Sequence, residues 1–72
     1  MRDIGLRIRE ARVKLRMSQT TLAEKLQLEG IIIEKNSVSR TESGTRFIPD
    51  YELPIYSQIL GVSVEWLLGI EK

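Results

Sequence analysis

The sequence predicts an all-α domain of five short helices, and three observations lead there. Apolar residues recur three and four positions apart, the period of a helix, rather than alternating as in a strand. Capping residues (Asp3, Ser18, Asp50, Ser63) precede these stretches and glycines (Gly44, Gly61, Gly69) follow them, which is the punctuation of helix starts and stops. Finally, 72 residues without cysteine or histidine hold one small core and neither a disulfide framework nor a Cys/His zinc site to staple it. Residues 1–72 are thus expected to form a single domain. Burial of apolar surface contributes on the order of 110 kcal/mol, and ordering the chain at about 1.5 kcal/mol per residue costs about 108 kcal/mol, so self-association would help so small a fold.

The first helix carries its apolar stripe at Ile4, Ile8, Ala11 and Leu15. Asp3 is placed to cap it and to pair with Arg7, and Glu10 with Lys14, one turn on. Ser18 caps the second helix, anchored by Leu22, Ala23 and Leu26 and running to about Gln27. From Leu28 to Glu34 a glycine and three β-branched isoleucines disfavour helix, so this segment is expected to be a connector with Ile31 or Ile33 under the core. The third helix, Asn36 to Ser43, is short and polar with Val38 as its anchor, and Gly44 ends it. The loop TRFIP follows, because the residue before Pro49 is pushed out of the α region. Asp50 is expected to cap the fourth helix, which buries Leu53, Tyr56 and Leu60. Ser63 caps the fifth, with Val62 and Leu67 at the positions of a hydrophobic staple.

The net charge of +1 conceals an asymmetry. Residues 1–16 hold six basic and two acidic side chains, a balance of +4; residues 17–46 hold four of each; residues 47–72 hold one basic against four acidic, a balance of −3. A basic front half can face a polyanion, although a solvated helix face has the same composition. The longest apolar run, Ile31-Ile32-Ile33, is too short to span a bilayer, and the opening MRDIGLRIRE has charges where a signal peptide needs an apolar stretch, so a cytoplasmic protein without membrane contact is expected. No histidine base, metal-ligand spacing or GxxxxGK phosphate loop is present, so neither an enzyme nor a cofactor, metal or small-molecule site is expected.

A capped helix, a connector and a small polar helix form the pattern of a helix-turn-helix, whose second helix enters the DNA major groove. IGLRIREAR, SQTTLAEKL, NSVSRTESG and LGVSVEWLLG follow one another much as in the phage repressor and Cro type of helix-turn-helix regulator, the XRE-like family. The chain resembles that family from Ile4 to Gly69, with Ser-Gln-x-x-Leu-Ala opening the second helix and Val-Ser-Arg-x-Glu-x-Gly in the third. The resemblance implies a five-helix lambda-repressor-like domain with its helix-turn-helix in helices 2 and 3. It further implies a DNA-binding transcriptional regulator, with repression the expected mode, acting as a homodimer on a two-fold symmetric operator.

By position, the resemblance implies that Lys35, Asn36, Ser39 and Arg40 face base edges, that Gln19, Ser37, Ser43 and Arg46 contact phosphates, and that Arg12 and Glu42 form an ion pair. Residue chemistry supports these roles: arginine can fork to guanine and asparagine to adenine, while glutamine and lysine suit phosphate oxygens or base acceptors. The plainer alternatives are a solvated Arg40, an Asn36 that caps its helix, a Gln19 that is an ordinary first-turn residue, and unrelated charges at positions 12 and 42. Trp66, Leu67, Leu68 and Ile70 are candidates for a dimer seam, although Trp66 and Leu67 also fit the core. Two features depart from the family: a connector about five residues longer than the commonest turn, and Thr41 where an apolar residue is usual. The alternative function is a protein-interaction module of the same fold, such as an antitoxin holding a toxin.

Overall fold

A computed structural model describes residues 4–70. Five α-helices follow in order: α1 (Ile4–Lys14), α2 (Gln19–Leu28), α3 (Lys35–Ser43), α4 (Leu53–Leu60) and α5 (Val64–Leu68), with a single 3-10 turn, Asp50–Glu52, leading into α4. The expectation that Asp3 caps α1 and pairs with Arg7 lies outside the described residues. The accessible surface, 4780 Å², is close to the about 4,600 Å² that surface scaling gives a folded chain of 8.3 kDa.

Ile8, Leu22, Leu26, Val38, Tyr56, Leu60 and Leu67 form the centre of the core, with Ala11, Ala23, Ile31 and Ile33 closing it. All five helices contribute, since none could bury its apolar stripe alone. The connector has a simple logic: Ile31 and Ile33 are both buried and Ile32 between them is fully exposed, an extended segment whose alternate side chains face opposite ways. The Gln27 amide donates to the Ile33 carbonyl at 2.6 Å and holds the connector to the end of α2.

Helix boundaries follow from caps. Ser18 Oγ accepts from the Thr21 N–H and Ser63 Oγ from the Trp66 N–H, each at 3.0 Å, satisfying orphan donors of α2 and α5. Every α-helix is followed by a residue in the left-handed region, namely Arg16, Gly30, Gly44, Gly61 and Gly69. After α1 the Met17 N–H reaches the Arg12 carbonyl and the Arg16 N–H that of Val13, the paired bonds of a Schellman stop. Arg16, at φ 58°, is the one that lacks glycine's freedom.

Four expectations require correction, the first being the Glu10–Lys14 pair, which does not form an ion pair among the described residues. Leu15 does not extend the α1 stripe: the helix ends at Lys14, the chain turns at Arg16, and Leu15 is left half exposed. Asp50 does not cap α4 with its side chain; it opens the 3-10 turn, and its backbone carbonyl accepts from the Leu53 N–H. Helix α3 starts at Lys35 with Glu34 in the cap position, so Asn36 lies inside the first turn and is not the cap.

Candidate nucleic-acid interface

Helix α3 is two-sided. Val38, Thr41 and Glu42 are buried, whereas Asn36, Ser39, Arg40 and Ser43 are exposed. Residues 36, 39, 40 and 43 are spaced three and four apart and therefore share one face, which is polar and carries one cation. Among the described residues Arg40 has no carboxylate within ion-pair distance. Ser37 is half-buried at the edge of this face. The Ser43 hydroxyl donates to the Arg40 carbonyl at 3.1 Å and meets the Thr45 hydroxyl, so it also closes the end of its own helix. The expectation for the Lys35 side chain lies outside what the structure describes.

The buried side of α3 is fixed by charge as well as by packing. Arg12 Nε donates to Glu42 Oε2 at 2.6 Å and Arg12 Nη2 to Glu42 Oε1 at 3.1 Å, a bidentate fork from α1 to α3. The same guanidinium donates through Nη1 to the Met17 carbonyl at 2.7 Å. Gln19, in the first turn of α2, donates through Nε2 to Glu42 Oε1 at 3.1 Å. One carboxylate therefore ties α1, α2 and α3 together, with side-chain exposures of 11% for Arg12 and 4% for Glu42. Gln19 thus has an intramolecular partner beside any phosphate it reaches, and its second amide hydrogen and carbonyl oxygen remain.

Arg46, like Gln19, has an intramolecular partner. Its Nη1 and Nη2 donate to the two oxygens of Glu52 at 3.2 and 3.0 Å, and Nη1 also lies 3.3 Å from the Thr41 hydroxyl. Glu52 is buried, so Arg46 neutralises an interior carboxylate, and any phosphate it contacts is met beside that pair. Its hydrogen bonds to Glu52 raise the guanidinium further above its ordinary value, against the opposing effect of partial burial. The polar Thr41 in an otherwise apolar position follows from the same network: it is buried against Arg46 and beside Tyr56, whose phenol burial pushes above the ordinary tyrosine value. Glu52 is not singled out by the sequence, because nothing local marks it rather than Asp50, two positions earlier, as interior.

Gly5 is the second residue that sequence reasoning missed. A β-carbon there would lie 2.2 Å from the Thr41 carbonyl oxygen and 2.7 Å from that of Glu42, so α1 approaches the last turn of α3 only because position 5 has no side chain. A glycine inside an otherwise regular helix was the available signal.

Between α1 and α5, Arg7 lies 4.9 Å from the centre of the Trp66 ring and donates to the Trp66 carbonyl at 3.0 Å. Of the four residues expected at a dimer seam, Leu67 is fully buried and belongs to the core, which corrects that assignment. Trp66 and Leu68 are half-buried, and Ile70 is exposed. Among the described residues no helix is long and apolar enough to cross a membrane, and no group of three or more candidate metal ligands occurs. No known protein family and no curated protein matches this chain.

Proposed function

We propose that the chain is a sequence-specific DNA-binding regulator of the helix-turn-helix kind, similar to phage repressor and Cro proteins, with α2 and α3 as the helix-turn-helix pair. The observation that carries this reading is the exposed polar face of α3, presented on a helix whose buried side is held by the Arg12–Glu42–Gln19 network. A reading helix must keep its side chains in fixed register with base edges, and buried bidentate bonds supply that rigidity. Asn36, Ser39 and Arg40 are assigned to base edges, and Gln19, Ser37 and Ser43 to the sugar-phosphate backbone. Arg40 is the residue suited to fork onto guanine O6 and N7.

One such helix buries too little surface for tight specific binding, so two copies on a two-fold operator are the expected assembly. The exposed Ile70 and half-buried Leu68 and Trp66 offer a surface for that pairing. Repression by occupying a promoter is the simplest mode open to a domain of this size.

A second reading, a protein-interaction module such as an antitoxin, draws its support from Leu28 at the end of α2 and Ile32 in the connector, which stand 85% and 99% exposed. A mobility-shift titration on random duplex at several salt concentrations separates the two. A DNA-binding domain gives an affinity that falls linearly with salt on logarithmic axes, with a slope of about −0.9 for each phosphate neutralised; a pure interaction module shows no such binding.

A further inference from the structure

The outer face of α1 has a chemical symmetry that neither the core nor the α3 face uses. Gly5, Ile8, Ala11 and Arg12 are its buried residues. On the opposite side Leu6, Arg9, Glu10 and Val13 are all exposed, Leu6 and Val13 each at 54%, and together they line a shallow groove of about 300 Å³. Their spacings of three, one and three make a single stripe. Read outward from its centre between positions 9 and 10, the stripe is opposite charge then apolar on both sides. Among the described residues neither Arg9 nor Glu10 has an ion partner within the chain.

We propose that this face pairs with the same face of a second copy of the chain, the two α1 helices antiparallel about a two-fold axis that passes between Arg9 and Glu10. In a two-fold interface, if residue i meets residue j then j meets i. An axis at that point sets Arg9 of one copy against Glu10 of the other, twice, and Leu6 against Val13, twice. A parallel pairing in register would set Arg9 on Arg9 and Glu10 on Glu10, so the charge order selects the antiparallel arrangement. The four side chains a copy contributes, on the order of 100 Å² each, fall below the about 1,200 Å² of a stable standard interface, so the association is weak in free solution. It acts where another contact already holds two copies close, because tethering raises the local concentration to about millimolar. The stripe lies on the side of α1 away from its contact with α3, so pairing leaves Asn36, Ser39, Arg40 and Ser43 uncovered.

The test uses sedimentation equilibrium of the full chain at concentrations up to about 1 mM, the range in which an interface this small associates. The wild type is expected to self-associate. Arg9→Glu alone, which sets Glu against Glu at both central positions, should weaken association about tenfold, and Arg9→Glu combined with Glu10→Arg should restore it. Phe47→Glu, at an exposed apolar side chain outside both this stripe and the C-terminal surface, should leave it unchanged. Register is read by disulfide capture, which is clean because the chain has no cysteine. An oxidised mixture of the Leu6→Cys and Val13→Cys variants should give the mixed dimer in excess over either symmetric one. A wild type that stays monomeric throughout overturns the proposal. So does association that the Arg9→Glu variant keeps, that the double exchange fails to restore, or that Phe47→Glu abolishes, and so does capture of symmetric dimers in preference to the mixed one.

Discussion

Replacing Glu42 by alanine removes the acceptor of three hydrogen bonds at once: two from Arg12, at 2.6 and 3.1 Å, and one from Gln19, at 3.1 Å. What remains is a guanidinium with 11% of its side chain exposed and one surviving partner, the Met17 carbonyl at 2.7 Å. Breaking a buried ion pair from one side costs about 3–5 kcal/mol, because the other charge stays desolvated. The Met17 bond keeps one donor group satisfied and places Glu42→Ala near the lower end, about 3 kcal/mol. Against a total stability of about 4–11 kcal/mol for 72 residues at typical values per residue, that loss is a large fraction. A urea titration followed by circular dichroism measures it, with a midpoint lowered in proportion and an unchanged slope. The double variant Arg12→Met/Glu42→Leu should be much less destabilised than the single one, since it removes both charges and refills the space. A loss below about 1 kcal/mol for Glu42→Ala would show the pair to be screened like a surface bridge, and the clamp on α3 would then be wrong.

Four further outcomes follow from the same geometry. Arg16→Gly should stabilise the fold by about 1 kcal/mol, seen as a melting temperature higher by about 4–8 °C, because glycine occupies the left-handed region without the β-carbon penalty; an unchanged or lower value contradicts the strained stop after α1. Gly5→Ala should destabilise by about 1–3 kcal/mol in a denaturant titration despite alanine's better helix propensity, since the new methyl meets the Thr41 and Glu42 carbonyls. Arg46→Ala should lower stability by about 3 kcal/mol by leaving Glu52 buried and unpaired, which thermal unfolding without any DNA present will register. Because burial raises the Tyr56 phenol in the folded state, its contribution to stability is complete below the unfolded value of about 10 and declines as pH rises above it; urea midpoints between pH 8 and 11 should fall more steeply for wild type than for Tyr56→Phe.

Local signals in the chain reveal most of the architecture and only part of the clamp. The stripe of Ile4, Ile8 and Ala11, the serine caps at 18 and 63 and the glycine after Ser43 are each legible because cause and effect lie within one or two turns. The α3 face is legible for the same reason, since Asn36, Ser39, Arg40 and Ser43 share a side by spacing alone. The Arg12–Glu42 bond spans 30 positions, and only the resemblance to phage repressors points to it. Nothing comparable points to Glu52. Its partner Arg46 sits across an irregular loop, where no periodicity relates two side chains, so a buried pair looks like two solvated charges. Gly5 is hidden in the same way: its significance lies in two carbonyls more than 30 positions away. The Arg16 stop reads poorly because the residue type argues against the conformation it adopts.

The central claim is that the exposed face of α3 reads bases, and Arg40 tests it most directly. A site selected from randomised duplex would be prepared with each of its single-base substitutions, and the affinities of wild type and Arg40→Ala measured on all of them at fixed salt. The account predicts a loss of about 1–3 kcal/mol per half-site on the selected sequence, together with lost discrimination at one base pair, a guanine by the chemistry of the guanidinium fork. Equal loss on every sequence would make Arg40 a phosphate contact and contradict the assigned register. No selected site, with no salt-dependent binding to any duplex, would contradict the DNA-binding function itself.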